Sequence, residues 1–222
     1  MVWELSKSTW IEFSCSSNLI ESMQSQRQIW VYMNCLANIA TEISRISNDL
    51  RLLSSWPNTG INEIELPTVQ TGSSIMPGKV NPSILECVNM VCFDVLWARH
   101  SVEQCLQWWQ LNLNVFMPLM AHKSLESTLI LSNALSMMSK KCIDWLKVNE
   151  DICKRNAYNS NGIFTALNPI LWYHTVAKIV QKRIKTWKEI WILLQEETDL
   201  GQNEIDKILD PLTLSNIYDQ AL

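Results

Sequence analysis

The sequence predicts an all-α fold, a long-helix bundle followed by a small helical C-terminal domain, and three observations predict it. Apolar residues recur mostly at three- and four-residue steps across 18–53, which is the spacing of one helix face. Only five glycines occur in 222 residues, which suits long elements with few tight turns. No stretch shows the two-residue alternation of a half-buried strand.

Residues 1–15 carry no clear pattern. From Asn18 a stripe runs through Ile20, Met23, Trp30, Met33, Leu36, Ile39, Ile43, Ile46, Leu50 and Leu53, and neither Gly nor Pro interrupts it before Pro57. A single helix of about 35 residues, near 50 Å long, is too long for a small globule and predicts an extended bundle. A stripe sustained that far usually packs on other helices, often from other subunits. Residues 54–82 hold four of the seven prolines and three of the five glycines, so they read as a loop. A second helix follows Pro82, with Ile84, Cys87, Val91, Val95, Ala98, Val102 and Cys105 as its apolar stripe. Ser83 is a candidate cap, and Glu86 falls in the first turn, where a carboxylate suits the helix dipole. A break over 112–118 introduces a third helix at about 119–146, carrying Leu125, Leu131, Leu135, Met138 and Cys142. Asn149 caps a short helix with two acids in its first turn, Asn159–Gly162 is a turn, and Asn168–Pro169 opens a helix to about Lys185. These readings give a bundle domain over 1–149 and a small helical domain over 150–222.

A formal charge of −4 with scattered cations gives no electrostatic reason to expect nucleic acid. The Lys140–Lys141 pair reads as a solvated helix face. No apolar run reaches the roughly 18 residues of a membrane span, and the N-terminus does not read as a signal peptide. The seven cysteines form no Cys-x-x-Cys and lie inside apolar helical patterns, which predicts buried free thiols in a reducing compartment, the cytoplasm. The three histidines are isolated, so no metal site is expected.

Between the first two long helices lies Thr71-Gly-Ser-Ser-Ile-Met-Pro-Gly-Lys-Val-Asn-Pro82. It gathers two hydroxyls (Ser73, Ser74), an ammonium (Lys79) and an amide (Asn81) on a backbone stiffened by prolines and turned by glycines. Such a concentration suits a functional loop, and a solvated connection is the plainer alternative. An ammonium and an amide donor are suited to binding a carboxylate, and backbone N–H groups around Val80 add donors. Ser73 acts as a base for a carbon proton only as an alkoxide stabilised by donors in a dry, closed site.

Residues 72–82 resemble, over eleven consecutive positions, the signature loop of the fumarase/aspartase superfamily of lyases. The likeness extends to Asn48–Ser55, Asn62–Pro67, Val88–Phe93, Gln110–Val115 and Thr165–Pro169. The Val88–Phe93 segment and Tyr158–Ser160 are more similar to the aspartate ammonia-lyase branch than to the fumarase branch. The resemblance implies a bundle of that family's type, Ser73 as the base, and Lys79 and Asn81 with Ser74 and Val80 at a substrate carboxylate. It also implies that Glu86 steadies the lysine, beside its plainer role as a first-turn acid. The implied reaction is elimination of ammonium from L-aspartate to give fumarate, a small dicarboxylate chemistry without metal or cofactor. Fumarate hydratase is the alternative, and a non-catalytic helical oligomerisation module is the alternative outside enzymes. The resemblance further implies a homotetramer with each site built from three subunits. This chain corresponds to about the second half of such a protein, so on its own it is expected to lack a complete site and to be inactive.

One feature departs from that pattern. Where the resemblance implies glycine, the chain has Trp56, Trp97, Trp109, Trp145, Trp172 and Trp187. An indole at a close helix crossing overpacks at about 1–3 kcal/mol each, and six such sites rival the 5–15 kcal/mol stability of a domain.

Overall fold

The computed structural model describes residues 2–70, 72, 75, 76 and 78–210. The chain forms two compact units, Met1–Lys147 and Val148–Leu222. In the first, the described residues form α1 (Val2–Thr9), α2 (Leu19–Gln24), α3 (Arg27–Leu53), α4 (Ser83–Gln107) and α5 (Met117–Lys141), followed by a 3-10 turn at Ile143–Trp145. Two strands of two residues each, β1 (Ile64–Glu65) and β2 (Lys147–Val148), are too short to leave an alternating pattern in the sequence.

The all-α architecture follows from burial along the three long helices. Helix α4 is central, packing on α3 at one side and α5 at the other. Its Leu85, Val88, Cys92, Val95, Ala98, Val102 and Cys105 are buried against Met33, Leu36 and Ala40 of α3 and Met120, Leu131, Ala134 and Met138 of α5. The buried stripe of α4 starts one position later than its sequence pattern, on Leu85 and Val88 rather than Ile84 and Cys87, and converges with it at Val95. On α5, Leu125 faces solvent while Leu131 and Met138 are buried.

The predicted 35-residue helix is two helices. It breaks at Ser25–Gln26, where Ser25 adopts extended backbone and α3 begins afresh with 27 residues. No Gly or Pro marks the break. Its ends are held from a distance instead: the Asn114 N–H donates to the Met23 carbonyl at 3.3 Å, and Gln24 Nε2 to Asn112 Oδ1 at 2.6 Å. The residue flanking α4 is Pro82, not a capping Ser83, whose hydroxyl accepts from Gln70 Nε2 and donates to the Asn81 carbonyl. Pro at that position needs no donor of its own and presets φ for the turn that follows.

The second unit contains α6 (Glu150–Asn159), a 3-10 stretch at Asn161–Leu167, α7 (Asn168–Thr186), α8 (Ile190–Glu197) and α9 (Gln202–Ile208). The Ser160 hydroxyl accepts from the Gly162 N–H at 3.1 Å and so starts the 3-10 stretch. Its core is separate, built on Phe164, Leu167, Ile179, Leu193, Leu194 and Ile205.

Two expectations need correction. Only Cys92, Cys105 and Cys142 are buried, whereas Cys15 and Cys35 are exposed, because the first lies outside the bundle stripe and the second on the outer side of α3. The tryptophans do not overpack the core either. Trp56, Trp97, Trp145, Trp172 and Trp187 are exposed and Trp109 is half-buried, so the indoles project outward rather than into helix crossings. What strains is backbone: φ is +60° at Trp172 and +55° at Trp187.

Candidate active site

The loop between α3 and α4 is drawn together at its neck. A Cβ on Gly72 would lie 2.0 Å from the Lys79 carbonyl oxygen, so only glycine permits the two strands of the loop to approach this closely. Gly78 reverses the chain at φ +77°, and the Lys79 N–H donates back to the Met76 carbonyl at 3.3 Å. Gln70 and Ser83, joined side chain to side chain, tie the loop's approach to the first turn of α4. Ser73 and Ser74 lie outside the described residues.

Below the neck is a cavity of about 450 Å³. Lys79, Val80 and Asn81 line it together with Arg51 and Ser54 at the end of α3 and Asn62 in the segment that follows. Trp56, Ile64 and Leu66 supply apolar wall. Two cations against one carboxylate, Glu65, leave the lining net positive, which suits an anion small enough for the space. Low-dielectric wall on one side strengthens each charge interaction inside.

Arg51 is the residue that sequence reasoning did not single out. Its guanidinium approaches the Glu86 carboxylate, Nη2 to Oε1, at 3.9 Å. Behind it sits Asn89, 3 % exposed. Because guanidinium has no acceptor, the Asn89 amide oxygen must face it. In that orientation Oδ1 accepts from Arg51 Nη1 at 3.1 Å and the amide nitrogen donates to Ser44. Arg51 Nε is buried and has no hydrogen-bond partner among the described residues. The signal for this cluster was present as Asn48 and Arg51 one helical turn apart, facing an asparagine inside the apolar stripe of the next helix. Glu86 therefore pairs with Arg51, and no ion pair joins it to Lys79 among the described residues.

The chain is similar to known lyases along most of its length. A family model described as "Lyase" matches residues 1–96. The chain is 43 % identical over 199 residues to an aspartate ammonia-lyase of Helicobacter pylori, covering 90 % of this chain and 42 % of that protein. It is 39 % identical over 198 residues to the aspartate ammonia-lyase of Escherichia coli K12, covering 88 % of this chain and 41 % of the relative. Among solved structures, a fumarate lyase:delta crystallin from Brucella melitensis superposes with a TM-score of 0.90 at 36 % identity, over 96 % of this chain and 46 % of the other. A class II fumarase from Schistosoma mansoni gives 0.87 at 31 %, over 92 % and 43 %. The chain thus spans less than half the length of the curated relatives it matches. With a helical bundle and a loop pinched at Gly72, the chain is similar along nearly its whole length to aspartate ammonia-lyases and to fumarate lyases of known structure.

Proposed function

We propose that these residues form the part of an aspartate ammonia-lyase that carries its proton-abstracting loop and one carboxylate clamp. The observation that supports this most directly is the shared cavity of Lys79, Asn81 and Arg51 beneath the loop neck, in a chain 39–43 % identical to aspartate ammonia-lyases. L-Aspartate enters as a dianion with an ammonium. The Lys79 ammonium and the Asn81 amide hold the carboxylate next to the carbon that loses its proton, assisted by the N–H near Val80. Ser73, as alkoxide, takes the Cβ proton, with Ser74 beside it. The electron pair left on carbon spreads into the clamped carboxylate as a doubly charged aci-form, which the two donors stabilise more than the ground state. Its collapse forms the C=C bond of fumarate, and the C–N pair departs with the nitrogen, which leaves as ammonia and is protonated to ammonium. Glu86, through its pairing with Arg51, maintains the floor of the cavity.

The remaining site groups belong to segments that this chain does not supply, and the 222 residues alone are inactive. A homotetramer is the assembly in which neighbouring subunits complete the site. The cytoplasm suits it, as every described cysteine is a free thiol, and no described helix is long and apolar enough to cross a membrane. A direct test fuses the chain to the remaining segments of the Helicobacter pylori relative and follows fumarate from L-aspartate and from malate. Fumarate from aspartate, abolished by Ser73→Ala, is the expected result. Turnover of malate alone would make the protein a fumarate hydratase, the reading that the likeness to the class II fumarase favours.

A further inference from the structure

Among the described residues five non-glycine positions have φ between +50° and +60°: Trp10, Trp172 and Trp187, together with Asn62 and Leu111. Asparagine tolerates this region. For a bulky side chain it is an outlier that the surroundings must enforce. The three indoles are 95 %, 81 % and 89 % exposed, so no packing or ring stacking compensates the backbone. Trp10 directly follows the last residue of α1, and Trp187 that of α7, where its N–H donates to the Arg183 carbonyl at 2.7 Å. That is the left-handed position at which helices end on glycine. Trp172, at φ +60° and ψ 144°, kinks α7 one turn after its start, at the border of a region essentially reserved for glycine.

Composition leans the same way. Eleven tryptophans and five glycines are the reverse of ordinary usage, yet together they make sixteen residues, about the 7 % that glycine alone normally contributes. Trp191 shows what a structural indole looks like here: it is half-buried in α8 and meets Tyr158 edge-on at 5.2 Å.

We propose that positions 10, 172 and 187 are glycines in the protein as its own cell makes it, encoded by a triplet that has been read here as tryptophan. One triplet allows this. UGA lies a single base from the tryptophan triplet UGG and a single base from the glycine triplet GGA, and there are translation systems that assign it to either residue. The gene then carries UGA at 10, 172 and 187, and UGG at 191.

The test is peptide mass spectrometry of the chain isolated from the cells that make it, across positions 10, 172, 187 and 191. Glycine at the first three and tryptophan at 191 are expected; tryptophan at any of the first three overturns the assignment. A second measurement is independent of the source. The chain as written and its Trp10→Gly, Trp172→Gly, Trp187→Gly triple variant are melted side by side. The triple variant melts at least about 5 °C higher, while Trp191→Gly melts lower. An unchanged or lower Tm in the triple variant shows that the backbone does not ask for glycine and counts against the proposal.

Discussion

At the scale of single residues, Gly72 and Asn89 govern the site from opposite sides. A methyl group at Gly72 collides with the Lys79 carbonyl, and a shift of that backbone by 1 Å carries Lys79 and Asn81 with it. Gly72→Ala in the completed enzyme therefore lowers kcat/KM by about 100-fold, measured by the rise of fumarate absorbance. Gly78→Ala meets no neighbour but retains φ +77°, and costs about 1 kcal/mol in urea unfolding, with a smaller loss of activity. Asn89→Ala strips the buried support from Arg51 and lowers stability by about 1–3 kcal/mol. Of these residues, Gly72 and the loop's polar groups were legible in the sequence because their types are unusual and close together. Arg51 was harder to read: Asn48 one turn before it and an asparagine inside the next apolar stripe are both visible, but only the fold shows that Asn89, 38 positions on, faces it. The tryptophans show a third case. Trp172 and Trp187 already stood out by resemblance, and φ added Trp10 without it.

At the scale of elements, periodicity identified the helices and missed what ends them. The break between α2 and α3 depends on hydrogen bonds from residues 112–114, about ninety positions away, while the local residues at Ser25–Gln26 are neutral toward helix. The stripe of α4 slipped by one position at its start because both Ile84 and Leu85 are apolar, and only packing against α3 and α5 decides between them. Leu85→Ala removes a fully buried side chain from that junction and should cost about 2–5 kcal/mol, read from the urea midpoint at constant m. The same helices set a pH response. Burial raises the thiol pKa of Cys92, Cys105 and Cys142 above the usual value. Thiols held neutral in the fold but free to ionise once unfolded give a contribution that is complete below about pH 8.5 and is lost as pH climbs through the raised values. The urea midpoint should thus fall on the alkaline side, and substituting alanine for all three cysteines should flatten that fall. A thiol reagent at neutral pH should label Cys15 and Cys35 first.

At the scale of the whole molecule, the bundle leaves apolar side chains uncovered. Ile39 and Ile46 on α3, and Met90, Phe93 and Trp97 on α4, are exposed at spacings that keep each group to one side of its helix. A proposed tetramer would cover such surface, so Phe93→Glu in the completed protein should move its sedimentation toward the monomer. The sequence conveyed the existence of this surface as a stripe too long for one small globule, but could not apportion it between core and partner, since both bury the same residue types. The separation of the two hydrophobic cores has a practical corollary. Because no buried side chain of the second core belongs to the first, evolution or an engineer can exchange 148–209 for the matching stretch of a relative as a cassette. The pinched loop and its cations would keep their helical foundations through such a transplant.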